Sequence, residues 1–97
     1  MADVMGMVRF RVMGGAELGA VAAGVGAWLS AQRGFVSRTL VGPDADGVYT
    51  DLVRWRSAED AHAAMAACED EPSVGAFMAA VDPATVDMRH VPVILGT

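Results

Sequence analysis

The segment from Gln32 to Met65, QRGFVSRTLVGPDADGVYTDLVRWRSAEDAHAAM, limits the folds open to this chain more than any other part of it. Gly34 supplies a helix stop, because glycine accepts the left-handed conformation that closes a helix. Phe35 to Val41 then reads as a strand. Pro43-Asp44-Ala45-Asp46-Gly47 carries turn chemistry: proline fixes its own φ, aspartates accept backbone hydrogen bonds, and glycine takes positive φ. Val48 to Arg56 is a second strand, and the short connection predicts an antiparallel hairpin. Ser57 is the expected N-cap of a helix running to about Glu69, with Glu59 and Asp60 placed where the helix dipole favours negative charge.

The flanks extend this pattern on both sides. Val8, Phe10 and Val12 alternate with Arg9 and Arg11, which predicts a first strand within Val4 to Met13. Gly14 and Gly15 break it. From Ala16 to Gln32, the residues Leu18, Val21, Ala22, Val25, Trp28 and Leu29 recur at three- and four-residue spacing, so one helical face is apolar. After the helix that follows Ser57, Pro72 interrupts, Val74 to Val81 predicts a further turn or two, and Asp82-Pro83 closes it. Val86 to Leu95 is the last strand, and Pro92 within it argues for an edge position or a bulge. The order β-α-β-β-α-β predicts a single α+β domain over residues 1–97. It is the ferredoxin-like arrangement, with a four-stranded antiparallel sheet and helices on one face. The other sheet face, with Leu52 on it, is expected to be fairly apolar and to need a cover.

Of the 97 residues, 54% are hydrophobic and only 20% are charged. That is a large apolar supply for so small a volume, and it predicts a partner, most simply a second copy of the same sheet in a homodimer. The net charge is −5, and all seven cations are arginine. No basic stripe is available for phosphates, so nucleic acid is not an expected partner. Neither is a membrane: no basic amphipathic helix is present, and the longest apolar run, Leu18 to Leu29, is too short to span a bilayer. Asp3 and the lack of a basic stretch before an apolar core give no expectation of a signal peptide. The single cysteine, Cys68, excludes an internal disulfide, fits a reducing compartment and reads as a small apolar residue near a helix end. A chain without lysine or asparagine and rich in Ala, Gly, Val and Arg suggests a GC-rich bacterial genome and, with the cysteine count, a cytoplasmic protein.

Chemistry-bearing residues gather on the sheet. Tyr49, Asp51, Val53 and Trp55 share one face of their strand. If Val41 pairs with Val48, Arg38 falls opposite Asp51 and Leu40 opposite Tyr49. The Arg38–Asp51 pair then serves either as a structural cross-strand ion pair or as an orienter of a phenolic or enolic oxygen. His90 lies among Val86 and Met88 on the last strand. It is either a general base near neutral pH or a buried histidine hydrogen-bonded across the sheet. His62 reads as a helix-edge residue. Two histidines on different elements and one distant cysteine do not make a metal site. Trp28, Tyr49, Trp55, Phe77 and Met88 form either ordinary core or the wall of a pocket for a flat aromatic molecule. The glycines carry no G-x-G-x-x-G after the first strand, and no lysine exists to complete a phosphate loop.

Gln32-x-Gly34-Phe35-x-Ser37, Tyr49-x-Asp51, Trp55-x-Ser57-x-Glu59-Asp60-Ala61 and Met88-x-His90 together resemble the dimeric α/β-barrel superfamily. Within it, the antibiotic-biosynthesis-monooxygenase-like proteins are most similar, over about Val8 to Val93. The resemblance implies a homodimer whose sheets face each other, and a small-molecule pocket in each subunit between sheet and helices. For the oxygenase members it implies an aromatic or polyketide-like substrate that reacts with oxygen once deprotonated, without metal or flavin. His90 is then the expected base, Arg38 and Asp51 the orienting pair. The haem-degrading branch combines a first-strand asparagine, a third-strand tryptophan and a helical histidine. Trp55 matches the tryptophan, but the chain has no asparagine, and His62 lies too close to Trp55 in sequence. A non-catalytic binding or stress-associated barrel is the alternative expectation, since the superfamily hosts many functions.

Overall fold

The computed structural model describes residues 3–14 and 17–96. The expected helix start at Ala16 and the break at Gly15 lie outside the described residues. Strand β1 covers Val4–Phe10, helix α1 Gly19–Ser30, strand β2 Phe35–Val41, strand β3 Tyr49–Trp55, helix α2 Ala58–Cys68, helix α3 Pro72–Ala80 and strand β4 Asp87–Pro92. A 3₁₀ turn at Pro83–Thr85 joins α3 to β4. The protein is α+β, with a four-stranded antiparallel sheet in the order β2-β3-β1-β4 and three helices.

Local chemistry accounts for the element ends. Ser57 has extended backbone, and its side chain accepts a hydrogen bond from the Asp60 N–H at 3.1 Å, as an N-cap should. Gly34 has φ 81, and a Cβ there would overlap the Asp60 side chain, so both conformation and space demand glycine. Pro72 does not merely interrupt. It is the first residue of α3, where its missing N–H would have had no partner. The 43–47 turn is held by Asp44, whose Oδ1 accepts from the N–H groups of Asp46 and Val48, both at 2.9 Å. These bonds, the one to Val48 above all, hold its carboxyl below the usual range. Pro92 sits on β4, an edge strand, where a missing donor leaves the inner ladder intact.

The helix-facing side of the sheet carries Phe10, Phe35, Leu40, Val53 and Trp55. Against it pack Leu18, Val25 and Leu29 around α1, Ala61 and Ala64 of α2, and Phe77 of α3. Trp55 meets Phe35 edge-on at 6.0 Å between ring centres. Beyond β1, Val12 bridges to Val81, and the Asp82 N–H donates to the Arg11 carbonyl, so the ends of β1 and α3 are tied together.

The hairpin register differs from the expectation. Val41 pairs with Thr50, Leu40 with Asp51 and Arg38 with Val53. The slip is two residues, which preserves the face of every side chain. A bulge at Val36 also interrupts β2: Phe35 pairs with Trp55, but Ser37 pairs with Arg54. The extra residue switches parity, so Phe35, Arg38 and Leu40 all point at the helices. The opposite sheet face is mixed, not uniformly apolar. Met7 and Leu52 are direct partners at its centre, with Arg9, Arg54 and Arg89 around them.

Candidate functional site

A cavity of about 500 Å³ lies between the sheet and the helices. Its floor is Gly6 and Val8 of β1, Asp51, Val53 and Trp55 of β3, and Met88 and His90 of β4. Helices α1, α2 and α3 supply its roof, including Leu29, Cys68 and Phe77. Strand β2 contributes nothing to the wall. Asp51, Trp55, Phe77, Met88 and His90 therefore meet around one space. Met65, Met78 and Met88 line it while remaining 37%, 44% and 42% exposed, so flexible thioethers rim its opening.

Asp51 is the buried acid of this wall, 7% exposed. Arg38 grips it from behind. Its Nε donates to Oδ1 at 2.9 Å and to Oδ2 at 3.2 Å, and its Nη2 donates to Oδ2 at 2.7 Å. Nη1 donates to the Ala22 carbonyl of α1 at 2.7 Å. The guanidinium also lies 5.6 Å from the centre of the Phe77 ring. Arg38 itself is absent from the cavity wall. It borders a depression on the outer side with Ala22, Gly26 and Phe35. The contact is diagonal, because Arg38 pairs in register with Val53 and reaches one rung along to Asp51.

His90 pairs with Gly6 across β1 and β4, and its ring lies over that glycine. A Cβ on Gly6 would sit 3.2 Å from His90 Nε2. Glycine here makes room for the imidazole. Burial lowers the His90 pKa below 6.5, and the nearby His62 lowers it further. The two imidazole rings meet edge-on with centres 5.9 Å apart. At neutral pH His90 is uncharged and can accept a proton. Cys68 also lines the cavity, and burial, with Glu71 adding to it, pushes its thiol above the ordinary 9.0, so it is not a thiolate at neutral pH.

Two residues named from the sequence lie elsewhere. Tyr49 stacks on Phe10 at 5.7 Å, and Phe10 meets Phe77 edge-on at 5.6 Å, so Tyr49 stands two rings from the cavity. It borders a separate surface recess with Leu18 and Leu40. Trp28 is partly buried on α1, packed against the core and off the wall. Sequence reading passed over Gly6, the His62 contact and, on the methionine rim, Met65 and Met78. Gly6 was legible in principle, as a glycine inside an alternating strand marks a close approach. The other two depend on how α2 and α3 sit over the sheet. Among the described residues, no group of three or more His, Cys, Asp or Glu is arranged to hold a metal, and no helix is long and apolar enough to cross a membrane.

No family model and no curated protein sequence matches the chain. Solved structures do. A variant of SnoaB, a cofactor-independent oxygenase from Streptomyces nogalater, superposes with a TM-score of 0.81 at 26% identity, covering 99% of this chain and 97% of that one. An antibiotic-biosynthesis-monooxygenase-like protein from Chloroflexus aurantiacus gives 0.71 at 16% identity, over 99% and 97% of the two chains. A haem-degrading protein from Mycobacterium tuberculosis gives 0.71 at 20% identity, over 99% and 96%. The chain thus has the ferredoxin-like α+β fold, and its structural neighbours are antibiotic-biosynthesis-monooxygenase-like proteins, SnoaB among them.

Proposed function

We propose that the protein is a cofactor-independent oxygenase acting on a small aromatic or polyketide-like molecule, working as a cytoplasmic homodimer. The observation that carries this reading is the meeting of Asp51, Trp55 and His90 on one largely apolar cavity. Its volume suits a molecule of a few fused rings. Trp55 and Phe77 offer flat apolar surface, and the methionine rim adapts to ring shape.

The residues divide the work by their chemistry. Asp51, fixed by Arg38, accepts a hydrogen bond from a substrate hydroxyl and sets the ring's orientation. His90, neutral at neutral pH, removes a proton from an acidic C–H or O–H of the substrate. The resulting carbanion or enolate supplies electrons to dioxygen, and a C–O bond forms. At an activated CH₂ the hydroperoxide so formed loses water to leave a carbonyl: R₂CH₂ + O₂ gives R₂CO + H₂O. The haem-degrading neighbour does not favour a haem reading, because at 20% identity it shares the fold alone and His62 is exposed and does not line the cavity.

The test is oxygen uptake with a panel of hydroxyaromatic and anthrone-like compounds. At least one is expected to drive uptake that His90→Ala reduces by about 10²-fold or more. Substrate-linked uptake untouched by His90→Ala rejects the base. A panel that binds and drives no uptake points to a binding protein without turnover.

A further inference from the structure

We propose that Asp51 makes the cavity selective by charge: it admits uncharged aromatic molecules that donate a hydrogen bond and turns away carboxylates of the same shape. This rests on the reading of the cavity as a site for aromatic molecules and deepens it.

The argument is one of orientation. The Arg38–Asp51 pair is neutral as a whole, but its two ends face different ways. The carboxylate lies on the cavity wall, and the guanidinium lies behind it on the outer side. All three guanidinium nitrogens are bonded within the protein, Nε and Nη2 to Asp51 and Nη1 to the Ala22 carbonyl, and Arg38 forms no part of the cavity wall. The cation that sequence reasoning places in the site is therefore spent on the protein itself.

The remaining ionisable wall residues are Cys68, Glu69 and His90. Cys68 and His90 are uncharged at neutral pH, for the reasons given above. Glu69 is an acid at the C-terminal end of α2, the negative end of that helix dipole. No arginine lines the cavity, so a bound anion would meet carboxylates and no compensating cation. A donor meets the reverse. A carboxylate offers about four lone-pair positions, and Oδ1 of Asp51 accepts only the single contact from Arg38 Nε. Its free lone pair is matched by a phenolic O–H, which a carboxylate ligand lacks.

Three probes sharing one ring system separate the outcomes: 2-naphthol, 2-naphthoate and 2-naphthylmethylammonium, titrated calorimetrically into the intact protein at neutral pH. The naphthol is expected to bind about tenfold to a hundredfold more tightly than the naphthoate. In Asp51→Asn the gap is expected to close to about threefold or less, because the inward charge is gone and the amide can donate to an anion. Equal binding of naphthol and naphthoate by the wild-type protein overturns the inference. So does weaker binding of the ammonium than of the naphthoate, since an inward carboxylate attracts a cation of the same shape. If none of the three binds, the aromatic-site reading falls and this inference falls with it. Should Asp51→Asn fail to fold, the wild-type ratio alone decides.

Discussion

Arg38 and Asp51 each leave only 9% of their side chain exposed, and that shared burial determines what removing either would do. A buried charge stripped of its partner is left without solvation, and the typical loss is about 3–5 kcal/mol. Arg38→Met and Asp51→Leu are each expected to destabilise the protein by that order, measured by urea unfolding. The double replacement is expected to recover most of the loss, because two apolar side chains need no solvation. Additive losses would mean the two charges are not coupled as their distances imply. His90 allows a second test at this scale. Its folded pKa is lowered, so the folded state binds fewer protons than the unfolded one as pH falls below 6.5. His90 thus adds stability above that pH, and the contribution is lost as pH drops through its folded pKa. Following the His90 ring by NMR should give a midpoint below 6.5, and His62→Gln should move it upward without reaching 6.5, because burial, the larger cause, remains. An unchanged midpoint in His62→Gln would show that the 5.9 Å ring contact carries no charge coupling.

At the scale of elements, Gly34 joins three of them: it follows α1, opens β2 and touches Asp60 of α2. Gly34→Ala forces a side chain to positive φ and into Asp60, and a loss of about 2 kcal/mol or more is expected in thermal or urea unfolding. Gly14→Ala, where a Cβ would meet open space, is the control and should stay close to wild type. Gly34 also shows why so much of the fold was readable from the chain. Turn and cap residues act within a few positions of themselves, so Ser57, Gly34 and the 43–47 turn announced their elements, and β2 ran over Phe35 to Val41 as expected. The bulge at Val36 and the hairpin register were not readable, because both depend on which strand lies opposite. Arg38 and Asp51 still met, since a two-residue slip keeps parity and a long arginine reaches diagonally. Trp28 and Tyr49 show the limit for the site. An aromatic on the right face of a helix or strand is equally suited to core and cavity, and only the placement of Phe10 and α1 sends these two to the core.

For the whole molecule, the decisive surface is the sheet face away from the helices. Its centre is the direct pair Met7 and Leu52, extended by Met5 and Val91, and around it stand Arg9, Arg54, Arg89 and Asp87. An apolar centre within a polar rim is the anatomy of a protein–protein interface. Beyond β4, Ile94 and Leu95 are 96% and 86% exposed, large apolar side chains with nothing covering them. The proposed homodimer stacks two such faces, and isologous pairing brings the Met7–Leu52 centre of one copy against that of the other. Leu52→Glu tests this without touching the cavity, which lies on the opposite side of the sheet. The wild-type protein is expected to sediment as a dimer at micromolar concentration. Leu52→Glu is expected to sediment as a monomer with its far-UV circular dichroism retained, because the Phe10, Trp55 and Phe77 core lies on the helix-covered side and needs no partner. Two results count against this reading: a wild-type monomer under those conditions would sink the dimer, and a Leu52→Glu protein that still sediments as a dimer would sink this interface. The second would move the interface to another surface, with the Ile94–Leu95 tail the first place to look.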